Sequence, residues 1–197
     1  TDSNLYHIVL GIMQKWGIPV NEYSWDIDVN LELPPQQGFG LSASGACAFA
    51  ISLQKELGVP ETEIIPRAIK ATHLAERTIS GGLGDIAGMS VGGVERRSKG
   101  GFPKPFGPGI VESWYEDFPV ILVWQRNSGT HTSSYIDSER WQSKITSAGV
   151  DSMHKINSIK WDSSSWQSIL HESHNFCNNS GLIEEENRMK LLGKIDH

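Results

Sequence analysis

The chain has 197 residues, 38% of them apolar and 20 of them glycine, and a formal net charge of −6. That length holds one large or two small domains around a real core, and the glycine content points to a loop-rich α/β or α+β protein. An acidic chain without a basic run has no electrostatic footprint for nucleic acid, and no apolar run approaches the ~18 residues of a membrane span, so neither is an expected partner.

Ser3 or Asn4 can cap a first helix with Leu5, Ile8, Val9, Ile12, Met13 and Trp16 on one face, stopped by Gly17 and Pro19. This amphipathic start lacks the charged-then-apolar shape of a signal peptide. Trp25-Asp26-Ile27-Asp28-Val29-Asn30-Leu31-Glu32-Leu33 alternates with period two, which predicts a strand with one buried face. There follows an uncharged stretch, Pro34-Pro35-Gln36-Gln37-Gly38-Phe39-Gly40-Leu41-Ser42-Ala43-Ser44-Gly45-Ala46, running into a helix over about Ser42–Leu57 that Gly58 and Pro60 end. Strand, glycine loop and helix start together suit an anion: the first helical turn has free backbone N–H groups and a partial positive charge, and glycines let a phosphate come close. The same residues also suit a tight strand-to-helix turn whose small side chains bring the helix near a sheet. No Lys-Ser/Thr follows the glycines as in a Walker loop, and the third glycine is misplaced for a dinucleotide fingerprint.

A further helix is expected from about Thr62 to Ile79, with Pro66 in its first turn and Ile65, Ala68, Ile69, Thr72, Ala75 and Glu76 near one face. A carboxylate on that face is costly to bury unless it is paired or binds a metal, and a salt bridge or a solvated edge would serve equally. Asp85 follows the glycine-dense Gly81-Gly82-Leu83-Gly84 and can cap a short helix Ile86–Ser90 or face a ligand. Gly100–Gly109 reads as a long surface loop, and Val120-Ile121-Leu122-Val123-Trp124 as a short buried strand opening a largely helical last third: about Ser138–Ile156, Ser163–Asn178 and Ile183–Leu192. A boundary near Trp114–Pro119 gives domains 1–116 and 117–197. Cys47 and Cys177 have no partner at metal or redox spacing, which suggests buried helical thiols in a reducing, cytoplasmic setting. His171 and His174 lie i, i+3 without a third ligand nearby, and the seven tryptophans are scattered as core or interface filling.

A phosphate-binding helix start with a hydroxyl at Ser42, a metal-ready carboxylate and a loop aspartate would together supply phosphoryl transfer. Mg²⁺ takes one or two hard oxygens from protein and the rest from phosphates and water.

These residues resemble the GHMP kinase superfamily. Pro35-x-x-Gly38-Phe39-Gly40-Leu41-Ser42-Ala43-Ser44 looks like its glycine-serine phosphate motif, and within the superfamily the chain is most similar to the archaeal pantoate kinases. His73-Leu74-Ala75-Glu76, then Asp85 nine residues after the glutamate in Gly82-Leu83-Gly84-Asp85-Ile86-Ala87, then Gly92-Gly93, carry that likeness, as does the helix end Ser180-Gly181-Leu182. The resemblance implies an α+β fold with a ribosomal-S5-like N-terminal domain and a ferredoxin-like C-terminal domain, with ATP and substrate between them. It implies that Gly38, Phe39, Gly40, Leu41, Ser42, Ala43 and Ser44 hold the triphosphate, that Ser42 and Glu76 sit on Mg²⁺, and that Asp85 faces the hydroxyl being phosphorylated. The loop Gly129–Ser133, with Thr130, His131 and Ser133, falls where the family often contacts substrate. The implied reaction is ATP-dependent phosphorylation of (R)-pantoate to 4-phosphopantoate on the archaeal route to coenzyme A. Another hydroxy acid or alcohol (shikimate, homoserine, mevalonate) is the alternative acceptor, and a non-catalytic sensor or scaffold the alternative class; a homodimer stays open. Superfamily members also carry an N-terminal segment with a Pro-Gly motif and a glycine-rich third motif. Neither is in this sequence, so a fragment of a longer protein or a truncated relative is expected.

Overall fold

The computed structural model describes residues 3–35, 37–79, 81, 84–104, 106–124, 133–183, 189–191 and 193. Helix α1 (Ser3–Lys15) buries Leu5, Val9 and Met13, spaced one turn apart, and ends at Gly17, whose φ of 79° is open to glycine at little cost. Helix α2 (Leu41–Glu56) buries Ala43, Ala46, Cys47, Ala50 and Leu53, and α3 (Glu61–Thr78) buries Ala68, Ala71 and Ala75. Small residues on both faces let α2 and α3 approach closely, and α1 covers the remaining side. Gln54 is wholly buried in this packing, and its Nε2 donates to the Ala50 carbonyl (2.9 Å) and the Ile64 carbonyl (3.1 Å), tying α2 to the start of α3. The short α4 (Gly84–Met89) adds Ile86 to the same core.

Strands β1 (Val94–Lys99) and β2 (Ile110–Trp114) pair antiparallel, with Val94 opposite Trp114 and a register shift between Arg97 and Lys99. Arg96 donates to Glu112 Oε2 across the pair at 2.7 Å. The last third contributes α5 (Ser133–Ile136), α6 (Glu139–Ile156) and α7 (Trp166–Ser180), the last stopped by Gly181 with φ 74°. Helices α6 and α7 pack on each other through Ala148, Ser152 and Ile169, with Lys155 bridging to Glu172 at 3.2 Å. Trp114 at the end of β2 meets Trp161 and Trp166 edge-on, with Phe118 against Trp166 and the Arg96 guanidinium over Trp161 at 4.9 Å. Three of the seven tryptophans that look scattered along the chain thus form one aromatic joint between the hairpin and the C-terminal helices. The described molecule is mixed helix and sheet, in line with the α+β expectation. No helix among the described residues is long and apolar enough to cross a membrane.

The expected helices over the first helix, Ser42–Leu57, Thr62–Ile79, Ser138–Ile156 and Ser163–Asn178 are present within a few residues. Of Ile183–Leu192, the described 189–191 are helical and the rest lies largely outside the described residues. Both cysteines are free thiols, Cys47 buried and Cys177 half-buried. Several expectations need correcting. Residues 25–31 form no strand: Ile27 and Val29 are exposed, because alternation without a neighbouring strand gives neither a ladder nor a buried face. Val120–Trp124 is likewise unpaired and exposed, with Ile121 75% accessible. On α3, Ile64 is buried and Ile65 is 49% exposed, and Pro66 falls in the second turn. Asp85 lies inside the first turn of α4 and not at its cap. Hairpin β1–β2 went unforeseen because Val94-Glu95-Arg96-Arg97-Ser98-Lys99 has a single apolar residue and no alternation to read.

Candidate active site

The site begins with the conformation that the glycines allow. Gly38 (φ 82°) and Gly40 (φ 67°) both adopt left-handed backbone, and Gly40 is the N-cap of α2. Lacking a side chain, Gly40 makes no capping bond to the first turn. The Ser44 N–H donates to the Gly40 carbonyl at 3.0 Å and begins the helical ladder, so the amides ahead of it have no intrahelical acceptor. The helix start therefore presents donors and a positive dipole end at Leu41, Ser42 and Ala43. Phe39, between the two glycines, packs edge-on against Trp124 with ring centroids 5.6 Å apart.

Ser42 stands exposed in the first turn, and its Oγ donates to Glu76 Oε1 at 3.0 Å. Glu76 is only 4% exposed, on the buried face near the end of α3. Its carboxylate lies over Gly81, where a Cβ would overlap Oε2, and the Gly81 N–H donates to the Glu76 carbonyl at 2.7 Å. The glycine after α3 is thus needed for the carboxylate to sit where it does. Two hard oxygens, one hydroxyl and one carboxylate, meet at the exposed end of α2. This donor set fits Mg²⁺ completed by phosphate and water. Among the described residues no three His, Cys, Asp or Glu side chains converge into an all-protein cage; His174 Nε2 is engaged instead with Asn178 Nδ2 at 3.0 Å.

Asp85 reaches the same helix start. Its Cγ and Oδ2 lie 3.1 and 3.3 Å from where a Cβ at Gly40 would stand. Although the residue as a whole is exposed, burial pushes its carboxyl above the usual carboxylate range, and the Arg97 charge partly opposes that rise. Arg97, on β1, holds Nη1 and Nη2 3.5 Å from the Cβ position of Gly84, with Nη2 3.1 Å from Glu95 Oε1. It was missed in the sequence; the only signal was the Arg96-Arg97 pair in a hairpin that could not be read. His73, one turn before Glu76, packs on Phe102 at 4.3 Å, and burial, then Arg77, lowers its pKa. Thr130 and His131 lie outside the described residues. Ser133 opens α5, which packs on α6.

The two loop glycines should respond differently to substitution. Both are left-handed, so Gly38→Ala is expected to cost about 1 kcal/mol and no more, since nothing lies within 4 Å of its Cβ position. Gly40→Ala adds a contact with the Asp85 carboxyl and is expected to cost about 2 kcal/mol in urea unfolding. Equal costs would contradict the seating of Asp85 on Gly40.

Comparison with known proteins finds likeness in the first half of the chain. Residues 4–93 match the family described as GHMP kinases N terminal domain. Pantoate kinase of Thermococcus kodakarensis is 38% identical over 93 residues, 47% of this chain and 29% of that protein, so the matched stretch spans under a third of the relative. No solved structure matches.

Proposed function

We propose that the protein acts as an ATP-dependent small-molecule kinase whose acceptor is a hydroxy acid, (R)-pantoate in particular, giving 4-phosphopantoate. The observation that carries this reading is the meeting of Ser42, Glu76 and Asp85 at the start of α2: the Ser42 Oγ–Glu76 Oε1 bond of 3.0 Å together with Asp85 against Gly40. The choice of pantoate rests on the relative named above. Gly38 to Ser44 hold the phosphates by backbone N–H groups, while Ser42 and Glu76 supply the protein oxygens for Mg²⁺. Bound Mg-ATP supplies the transferable phosphoryl group and a charge that neutralises its oxygens. Asp85 orients the acceptor hydroxyl and takes its proton; the raised carboxyl pKa makes it a better base than an ordinary aspartate, and the Arg97 charge partly opposes that rise. Arg97, a planar cation beside Asp85, suits the acceptor's carboxylate.

The test is a coupled ADP-release assay with (R)-pantoate, shikimate, homoserine and mevalonate, run beside thermal unfolding with Mg-ATP, with ATP plus EDTA, and without nucleotide. The expected result is a rise in unfolding temperature with Mg-ATP that EDTA removes, and turnover highest with pantoate. No shift with Mg-ATP sinks the kinase reading. A shift without turnover on any acceptor points to a nucleotide sensor instead.

A further inference from the structure

A second recess lies apart from the Ser42–Glu76–Asp85 cluster. About 400 Å³ in volume, it is walled by Ile65 and Ile69 of α3, by Phe102, Lys104 and Phe106 of the β1–β2 loop, and by Val111 of β2. That volume is within the ~300–1,000 Å³ of small-molecule sites. The loop wall is built in place: the Gly109 N–H donates to the Phe102 carbonyl at 2.8 Å, and a Cβ at Gly107 or Gly109 would collide with the backbone of Phe102 or Gly101. The glycines let the loop fold tightly on itself and carry Phe102 inward to 9% exposure, while Ile65 (49%), Phe106 (42%) and Ile110 (42%) stay accessible at the recess.

Its charge runs against that of the chain. Acidic side chains outnumber basic ones by 23 to 17, yet among the described residues the only titratable one lining the recess is Lys104. A second cation, the Lys70 Nζ, stands 5.1 Å from the Phe106 ring centroid. An apolar hollow with lysines at its rim is complementary to an anion that carries an apolar body. We infer that this recess binds a small monoanion of that kind, a medium-chain carboxylate being the simplest case, at a site separate from the helix-start cluster. Occupancy bears on Phe102, whose ring packs on His73 one turn before Glu76.

Ligand-observed NMR titrations of the protein with sodium octanoate and with 1-octanol test this directly. Both probes are expected to bind the native protein. Lys104→Gln should weaken octanoate roughly fivefold, the scale of an accessible ion pair, and leave octanol unchanged. Ile65→Trp and, separately, Ile110→Trp fill the hollow from side chains that already reach solvent, so either should abolish binding of both probes in a folded variant. The inference is overturned if octanoate fails to bind, if Lys104→Gln leaves octanoate unaffected, or if binding survives whichever tryptophan variant folds.

Discussion

Asp85→Asn is expected to lower kcat by about 10³-fold while Mg-ATP still raises the unfolding temperature as in the native protein. The substitution keeps the shape of the side chain against Gly40 and removes its ability to accept a proton, together with the charge that faces Arg97. The pH profile is the sharper readout. Burial raises the Asp85 carboxyl above its ordinary range, so the acid limb of kcat/KM in the native protein should lie above that of a free aspartate, and the variant should lose that limb. Stability carries the same sign. A raised folded pKa means that the native state holds the proton longer than the unfolded chain does. The contribution of Asp85 is then full below the unfolded value and is lost as pH rises through the folded one. Asp85→Asn should therefore be no less stable than the native protein at neutral pH. Retained turnover, or an acid limb that persists in the variant, would show that another group takes the proton.

Glu76→Gln should cut kcat/KM by about 10²-fold and raise the Mg²⁺ concentration for half-maximal activity at least ~10-fold. Glutamine fills the same volume over Gly81 and can still accept from Ser42 Oγ, so the fold should hold while the negative charge is gone. The discriminating measurement is a magnesium titration at saturating ATP. An unchanged magnesium requirement would assign Glu76 to a structural role in the α2–α3 packing.

Legibility of the fold divides along physical lines. Helices α1, α3, α6 and α7 repeat with the helical period, α2 is marked by the glycine loop before it, and Gly17, Gly58 and Gly181 stop three of the five. Strands fared badly in both directions. Trp25–Leu33 and Val120–Trp124 have the composition of strands, but a ladder needs a neighbour, and no sequence window contains one. Val94–Lys99 looks like a charged loop and is a strand because Ile110–Trp114 pairs with it.

The site divides in the same way. The sequence by itself determined the glycine loop at the start of α2, the hydroxyl in its first turn, and the two carboxylates that follow, because backbone freedom, capping and the cost of burying a charge are local properties. Only the tertiary structure decided that Ser42 meets Glu76 across 34 residues of chain, that Asp85 lies on Gly40, and that Arg97 stands beside it. Those meetings depend on how near α2 and α3 come along their alanine faces and on where a short hairpin turns back. These distances are set by the whole core and belong to no single stretch of chain.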